Sequence, residues 1–518
     1  MNELTIYTYF WIVVNLPGAA VSRPTPAVDL ARHENAAKLL PVPRLVIGGE
    51  DLLAGSGGVH VHVNPATGLA QADVPLGGAL EVDQAVAAAR SAYETTWGPM
   101  KPADRRRLLT RFADLLATRR DDFATIATLE MGLCASMSAQ IDAAIEWTHY
   151  YAGWADKIEG IVASGFSPAD ELAYTLAEPY GVVGHIITWN APLLSLGMKV
   201  PPSLAAGNTV VIKPAEFTPF TALLFAELAR EAGLPDGVVN VVQGDGSAGE
   251  ALVRHPGVGK VSFTGGPGTA KRIMATAAES LKPVLFELGG KSPNLLFADA
   301  DLDASVPYSA AFAMSCVGQG CALPTRLLVE ESIYDQVVES VVATIEALPV
   351  GDPMDPASYF GPLVNAAARE RVVGMIDAAV AGGAGELRTG GSAMDTAGFF
   401  VEPTVFADVD NDNDLAQQEV FGPVLAITRF RDEEHAVELA NDTAYGLSAY
   451  VQTRDVRRVN RLVPRLRAGT VFVNQGPNPI TQPGRPFGGI GLSGFGREGG
   501  KAGLDEFLMI KGVGVGRG

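Results

Sequence analysis

Between residues 181 and 299 the apolar positions switch repeatedly between two patterns. Short runs rich in β-branched residues, VVGHIIT (182–188), NTVVIKP (208–214), GVVNVVQG (237–244), GKVSFTGG (259–266) and PVLFELGG (283–290), read as strands. Helical segments separate them. One opens at Thr218-Pro219, a cap residue followed by proline at the first helical position, and stops at Gly233. Strand–helix–strand alternation with apolar strands predicts a parallel sheet covered on both faces. Upstream, Val82, Val86, Ala89 and Tyr93 recur at helical spacing, as do Leu108, Phe112, Leu115 and Leu116, each with charge on the opposite face. Folded material is expected from about Leu45, with a turn at Asn64-Pro65-Ala66-Thr67-Gly68 between β-like runs. A second α/β region spans about 287–473 and includes a helix over 333–348. A glycine-rich loop (486–500) and a β-like tail (507–516) follow.

A parallel sheet places ligands beyond the carboxyl ends of its strands. Here those ends lead into TWNAPL (188–193), KPAE (213–216), GDGSAG (244–249) and TGGPGTA (264–270), four candidate binding loops.

Composition narrows the function. With 47% hydrophobic residues the 518-residue chain has the apolar content of a globular protein. Thirty-nine Lys and Arg against 58 Asp and Glu give a net charge of −19, which repels phosphate backbones and argues against nucleic-acid partners. Three cysteines, none in a Cys-x-x-Cys pair, argue against a disulfide framework and for a reducing, cytoplasmic setting. The seven scattered histidines form no metal motif, so no metal is expected. Residues 4–16 are apolar but too short to span a bilayer as a helix, and no basic residue precedes them. No membrane association is expected. They are read as an extension, and 23–43, with several prolines, as a linker.

Five features carry candidate chemistry. Cys321 follows Gly318-Gln319-Gly320, where a flexible loop lets a substrate carbon approach a thiol; the alternative is a small buried hydrophobe, the reading that suits Cys134 and Cys316. Glu287 lies in an apolar strand run, where desolvation raises a carboxyl pKa towards that of a general base, unless a Lys or Arg pairs with it. Asn190 ends a strand at a binding loop, where its amide donates to an oxyanion or simply forms a turn. The Gly265-Gly266-Pro267-Gly268 loop opens a helix and presents free N–H groups to a phosphate, although it is not Gly-x-Gly-x-x-Gly. Lys213 and Glu216 leave the neighbouring strand together, as ribose ligands or as a solvated pair.

TWNAPL, AAGNTVVIKPAE, FTGGPGTA, FELGGKSPN, GQGC, QEVFGP and PFGGIGLSG occur in one unbroken order. Together they resemble the NAD(P)-dependent aldehyde dehydrogenase superfamily over about residues 44–512. The resemblance implies an α/β protein: a Rossmann-like parallel-sheet cofactor domain (44–156 and 180–286), a second α/β catalytic domain (287–482), and an oligomerisation arm and tail (157–179 and 483–518), with 1–43 outside. It also implies Cys321 as nucleophile, Glu287 as general base, Asn190 as oxyanion donor, and Lys199 near the amide and base. Lys213 and Glu216 correspond to adenosine-ribose ligands, and Gly246 and Gly266 to loops close to the cofactor. Glu419 and Phe421 match residues that position the nicotinamide ribose and ring. Ile187, Trp189, Gly265 and Leu288 complete the cofactor contacts.

The implied reaction is oxidation of an aldehyde to a carboxylic acid through a cysteine thiohemiacetal and thioester, which a Glu287-activated water hydrolyses. Glu287 distinguishes this from acyl transfer to coenzyme A. Glu216 repels a 2′-phosphate, so NAD is expected, with NADP the alternative. A homodimer or homotetramer is implied. Rival readings are a scaffold that has lost its chemistry, at odds with Cys321 and Glu287, and a cysteine hydrolase, at odds with the cofactor motifs. Three departures stand out: Ala270 in place of a second phosphate-loop glycine, Ala191 in place of an aromatic beside Asn190, and the segment GPNPITQPGR (476–485), expected to shape the pocket mouth.

Overall fold

A computed structural model describes residues 25–163, 171–474 and 482–516. The apolar run at 4–16 and part of the 476–485 segment lie outside them. Two sheets with helices packed on them form an α/β architecture, and a small antiparallel sheet projects from it.

The first sheet has eight strands, in the order Gly494–Phe495, Val284–Leu288, Lys260–Gly265, Val182–Ile186, Thr209–Lys213, Val239–Val241, Leu45–Ile47 and Glu50–Leu52. The five strands from Val284–Leu288 to Val239–Val241 are mutually parallel. Their sequence runs as near-continuous hydrophobics because both faces are buried. From Val182–Ile186 the chain adds two strands on one side, then crosses to build Lys260–Gly265 and Val284–Leu288 on the other. The switch point therefore lies between Val182–Ile186 and Lys260–Gly265, where a doubly wound sheet opens a crevice at its carboxyl ends. The four candidate loops lie at that edge, and helices Pro192–Ala205, Pro219–Glu231, Gly246–Arg254 and Pro267–Ala278 follow them in turn.

The second sheet has seven strands, in the order Glu386–Thr389, Thr404–Ala407, Val424–Phe430, Arg326–Glu330, Pro293–Leu296, Ser448–Gln452 and Thr470–Val473. All its pairings are parallel except the one between Glu386–Thr389 and Thr404–Ala407. The third sheet pairs Leu508–Gly516 with Glu171–Pro179, and the latter with Val162–Ala163, all antiparallel.

Four local expectations need revision. Within the stretch read as a linker, Leu30–Ala36 is a helix capped by Asp29. Its His33 is buried, with Nε2 2.9 Å from Asp352 Oδ1 and Nδ1 3.0 Å from Asn64 Nδ2, so long-range polar contacts order a segment that lacks apolar periodicity. Thr218 does not cap the helix it precedes. The buried Glu130 carboxylate accepts from Thr221 N at 2.9 Å and also from Phe220 N, satisfying the orphan donors of that helix start. The boundary expected at 286/287 falls slightly later: Glu287 pairs with Thr264 in the first sheet, and the second sheet begins at Pro293. The stretch 483–518 divides, because Gly494–Phe495 joins the first sheet and only Leu508–Gly516 joins the arm.

Among the described residues no helix is long and apolar enough to cross a membrane. Nor does any cluster of three or more His, Cys, Asp or Glu there have the geometry to hold a metal ion.

Candidate active site

Cys321 lies at the end of an irregular segment that follows helix Leu302–Ala313. Cys316 and Val317 both adopt left-handed backbone (φ 48° and 58°), a conformation that carries strain for residues with a side chain. The segment interlocks with the 418–423 loop: a Cβ on Gly318 would lie 1.9 Å from Gly422 O. Gln319 anchors it, its Oε1 accepting from Val364 N at 3.0 Å. Cys321 is half-buried. Burial pushes its thiol well above the usual range, and the nearby carboxylates of Glu287, Glu419 and Glu498 push it further.

Glu287 comes from the last parallel strand of the first sheet. It is buried, and its Oε1 has no hydrogen-bond partner. That oxygen sits over Gly488, where a Cβ would come within 3.1 Å of it. Burial holds the carboxyl well above the ordinary carboxylate range; Glu498 adds to the rise, and Lys199 and Arg497 oppose it. The ion pair weighed for Glu287 is not formed among the described residues. Lys199, fully buried on helix Pro192–Ala205, pairs instead with Glu498 and donates to Ser262 Oγ at 3.0 Å. Lys199 is near enough to Glu287 for its charge to act on that carboxyl. Glu498 was missed, and the signal that could have found it is an acid inside the glycine-rich 486–500 loop.

Asn190 follows the Val182–Ile186 strand at the switch point and is 9% exposed. Its Nδ2 donates to Gln319 O at 2.9 Å, two residues before Cys321, and its Oδ1 accepts from Thr188 Oγ1 at 2.8 Å. From the second sheet's side, Glu419 Oε1 accepts from Gly290 N at 2.9 Å. A Cβ on Gly289 would displace the Glu419 carboxyl from its present position. Burial lifts Glu419 to about 7, against the pull of the Gly290 N–H, Lys291 and Arg371. Phe421, in left-handed backbone (φ 51°), meets Trp189 edge to face at 5.3 Å between centroids. Cys321, Glu287, Asn190, Glu419, Trp189 and Phe421 therefore gather where the two sheets meet.

The remaining candidates line the carboxyl edge of the first sheet. Lys213 is buried, and its Nζ lies 3.6 Å from Glu216 Oε2. Burial lowers Lys213, while Glu216 and Asp245 raise it. The pair is not simply solvated, since only Glu216 is substantially exposed. Gly246 opens a helix whose first N–H groups are capped by Asp245. Gly266 caps helix Pro267–Ala278 with no side-chain hydrogen bond, leaving its N-terminal donors free. A Cβ on Gly246, Gly266 or Gly268 would meet open space, whereas Gly265 is packed against Phe263. Ile187 and Leu288 are buried at the ends of their strands. Ala270 is buried in the packing of its helix, and Ala191 is half-buried beside Asn190.

Residues 54–513 match the family model described as the aldehyde dehydrogenase family. The chain is 40% identical over 475 residues to a mitochondrial benzaldehyde dehydrogenase of Antirrhinum majus, covering 91% of this chain and 88% of that one. It is 39% identical over 496 residues to a cytosolic 10-formyltetrahydrofolate dehydrogenase of Xenopus tropicalis, covering 94% of this chain; it spans only 55% of that relative's length. Among solved structures, an NAD-dependent aldehyde dehydrogenase from Sinorhizobium meliloti superposes with a TM-score of 0.90 at 38% identity, covering 93% and 96% of the two chains. An NAD+ complex of an aldehyde dehydrogenase from Bacillus cereus gives a TM-score of 0.90 at 37% identity, covering 96% and 100%. The chain belongs to the aldehyde dehydrogenase family, whose members are oxidoreductases acting on aldehyde groups.

Proposed function

We propose that this protein oxidises an aldehyde to its carboxylic acid with NAD as electron acceptor. The observation that carries the reading is one meeting point: a loop thiol at Cys321, a buried carboxyl at Glu287 that forms no ion pair among the described residues, and the Asn190 amide bonded onto the thiol's own loop at 2.9 Å. Once the thiol has lost its proton to solvent, the Cys321 thiolate attacks the carbonyl carbon, and the resulting oxyanion is held by Asn190 N–H and a backbone N–H. When bound, NAD supplies a cationic ring that favours the thiolate and accepts hydride from the former aldehyde carbon, leaving a thioester on Cys321. Glu287 then takes a proton from water as that water attacks the thioester, and the acid and the free thiol are released. Its raised pKa makes Glu287 a stronger base than an ordinary carboxylate, and this favours hydrolysis over acyl transfer to coenzyme A.

The donors and spaces of the first sheet fit a dinucleotide. Free N–H groups at Gly266 suit a pyrophosphate, and the open space over Gly246 and Gly266 leaves room for it. Lys213 and Glu216 suit ribose hydroxyls. Glu419 suits the second ribose, and Trp189 and Phe421 suit the ring. Ile187, Gly265 and Leu288 would complete the contacts. The three free thiols support a reducing, cytoplasmic setting, which cell fractionation checks.

The arm supports self-association. Its strands expose Ile161, Val162, Leu172, Leu176, Met509, Ile510 and Val515, an apolar surface on a sheet with open edges. A homodimer or homotetramer is expected by light scattering, and a monomer at micromolar concentration would contradict it.

Single-turnover kinetics test the chemistry. Cys321→Ala is expected to abolish the NADH burst. Glu287→Gln should keep the burst while slowing steady-state turnover about 100-fold or more, the usual range for a general base. A burst that survives Cys321→Ala, or normal turnover in Glu287→Gln, would contradict the assignments. For the cofactor, kcat/KM should favour NAD over NADP. Glu216→Gln should narrow the ratio about fivefold or more, since like charges near 4 Å repel by about 1–4 kcal/mol. A preference for NADP in the unaltered protein would overturn the cofactor reading.

A further inference from the structure

The loop leaving the Val182–Ile186 strand carries one hydroxyl that the steps above do not use. Thr188 Oγ1 donates to Asn190 Oδ1 at 2.8 Å, while Asn190 Nδ2 donates to Gln319 O at 2.9 Å. A carboxamide has two ends of nearly equal shape and opposite hydrogen-bonding sense, so its function as a donor depends on which end faces the reacting atom. Turned over, Asn190 would set its oxygen against the carbonyl oxygen of Gln319, two acceptors with no proton between them. Gln319 is itself fixed, with Oε1 on Val364 N at 3.0 Å and its backbone N–H on Cys316 O at 3.1 Å. The amide is therefore clamped from two sides: a rigid carbonyl takes one N–H, and a hydroxyl holds the oxygen. The second Nδ2 hydrogen remains for a ligand. A hydrogen bond to an amide oxygen also polarises the amide and strengthens its N–H as a donor.

We infer that Thr188 is a positioning residue for aldehyde oxidation, orienting and polarising the Asn190 amide that receives the oxyanion. This rests on the reading of Asn190 as oxyanion donor. It asks of Thr188 only its hydroxyl, because a β-branched side chain of the same shape without that group would fill the same half-buried space.

The test compares Thr188→Val, which keeps the shape and loses the hydroxyl, with Thr188→Ser, which restores it. Thr188→Val is expected to lower kcat/KM for the aldehyde about five- to tenfold, the scale of one neutral hydrogen bond. The NAD dissociation constant, measured by calorimetry, should stay unchanged, and Thr188→Ser should recover most of the loss. On an Asn190→Ala background, Thr188→Val should cost nothing further. If Thr188→Val retains the original kcat/KM, if Thr188→Ser is as impaired as Thr188→Val, or if the loss recurs undiminished on the Asn190→Ala background, the positioning role is wrong and the oxyanion role of Asn190 survives. If Asn190→Ala itself loses no activity, both readings fall. Should Thr188→Val not fold, Thr188→Ala also lacks the hydroxyl, adds no bulk, and is read in the same way.

Discussion

The site depends on how the chain crosses from one sheet to the other through Gly289, Gly290, Lys291 and Ser292. Ser493 Oγ donates to Gly289 O at 2.7 Å, Gly290 N donates to Glu419 at 2.9 Å, and Arg326 Nε donates to Lys291 O at 3.0 Å. A buried backbone with its polar groups satisfied in this way holds one conformation. The crossing carries Glu287 at its start, lies against the backbone of Cys321, and takes Glu419 from the far side. A Cβ at 290 would collide with the backbone oxygen of Cys321, and one at 289 would displace the Glu419 carboxyl. The crossing thus keeps Glu287, Cys321 and Glu419 in fixed relation.

That arrangement has an electrostatic consequence. Cys321, Glu287 and Glu419 are all pushed towards their neutral forms, mainly by burial; neighbouring carboxylates add to the rise at Cys321, and Glu498 adds to it at Glu287. Lys291 moves the opposite way, held down to about 7 by burial and by Arg326. Burial thus disfavours charge on each of these four side chains, while the Lys199–Glu498 pair keeps its charges beside them.

Much of this was legible in the amino-acid sequence, for identifiable reasons. The parallel strands of the first sheet are buried on both faces, so their apolar runs stand out, and the loops after them lie where the topology requires. Cys321, Glu287 and Asn190 stand out as candidates because each sits in a short motif whose order along the chain is itself informative. Contacts set by distant partners were not legible. Glu130 caps a helix far along the chain, displacing the local candidate Thr218. His33 orders its helix through Asp352. Glu498 reaches Lys199 and Glu287 from a glycine-rich tail with no periodicity to mark it. The clamp on Asn190 likewise needs Gln319, brought by the irregular segment after helix Leu302–Ala313. Each depends on a polar pair that only the fold brings together.

The central claim is that the substrate carbon becomes bonded to one particular sulfur. Rapid acid quenching of Glu287→Gln after mixing with aldehyde and NAD, followed by peptide mass spectrometry, tests it most directly. An acyl group on the peptide containing Cys321, in proportion to the NADH formed, is the predicted result. NADH formation with no adduct, or with the adduct on Cys134 or Cys316, would contradict it.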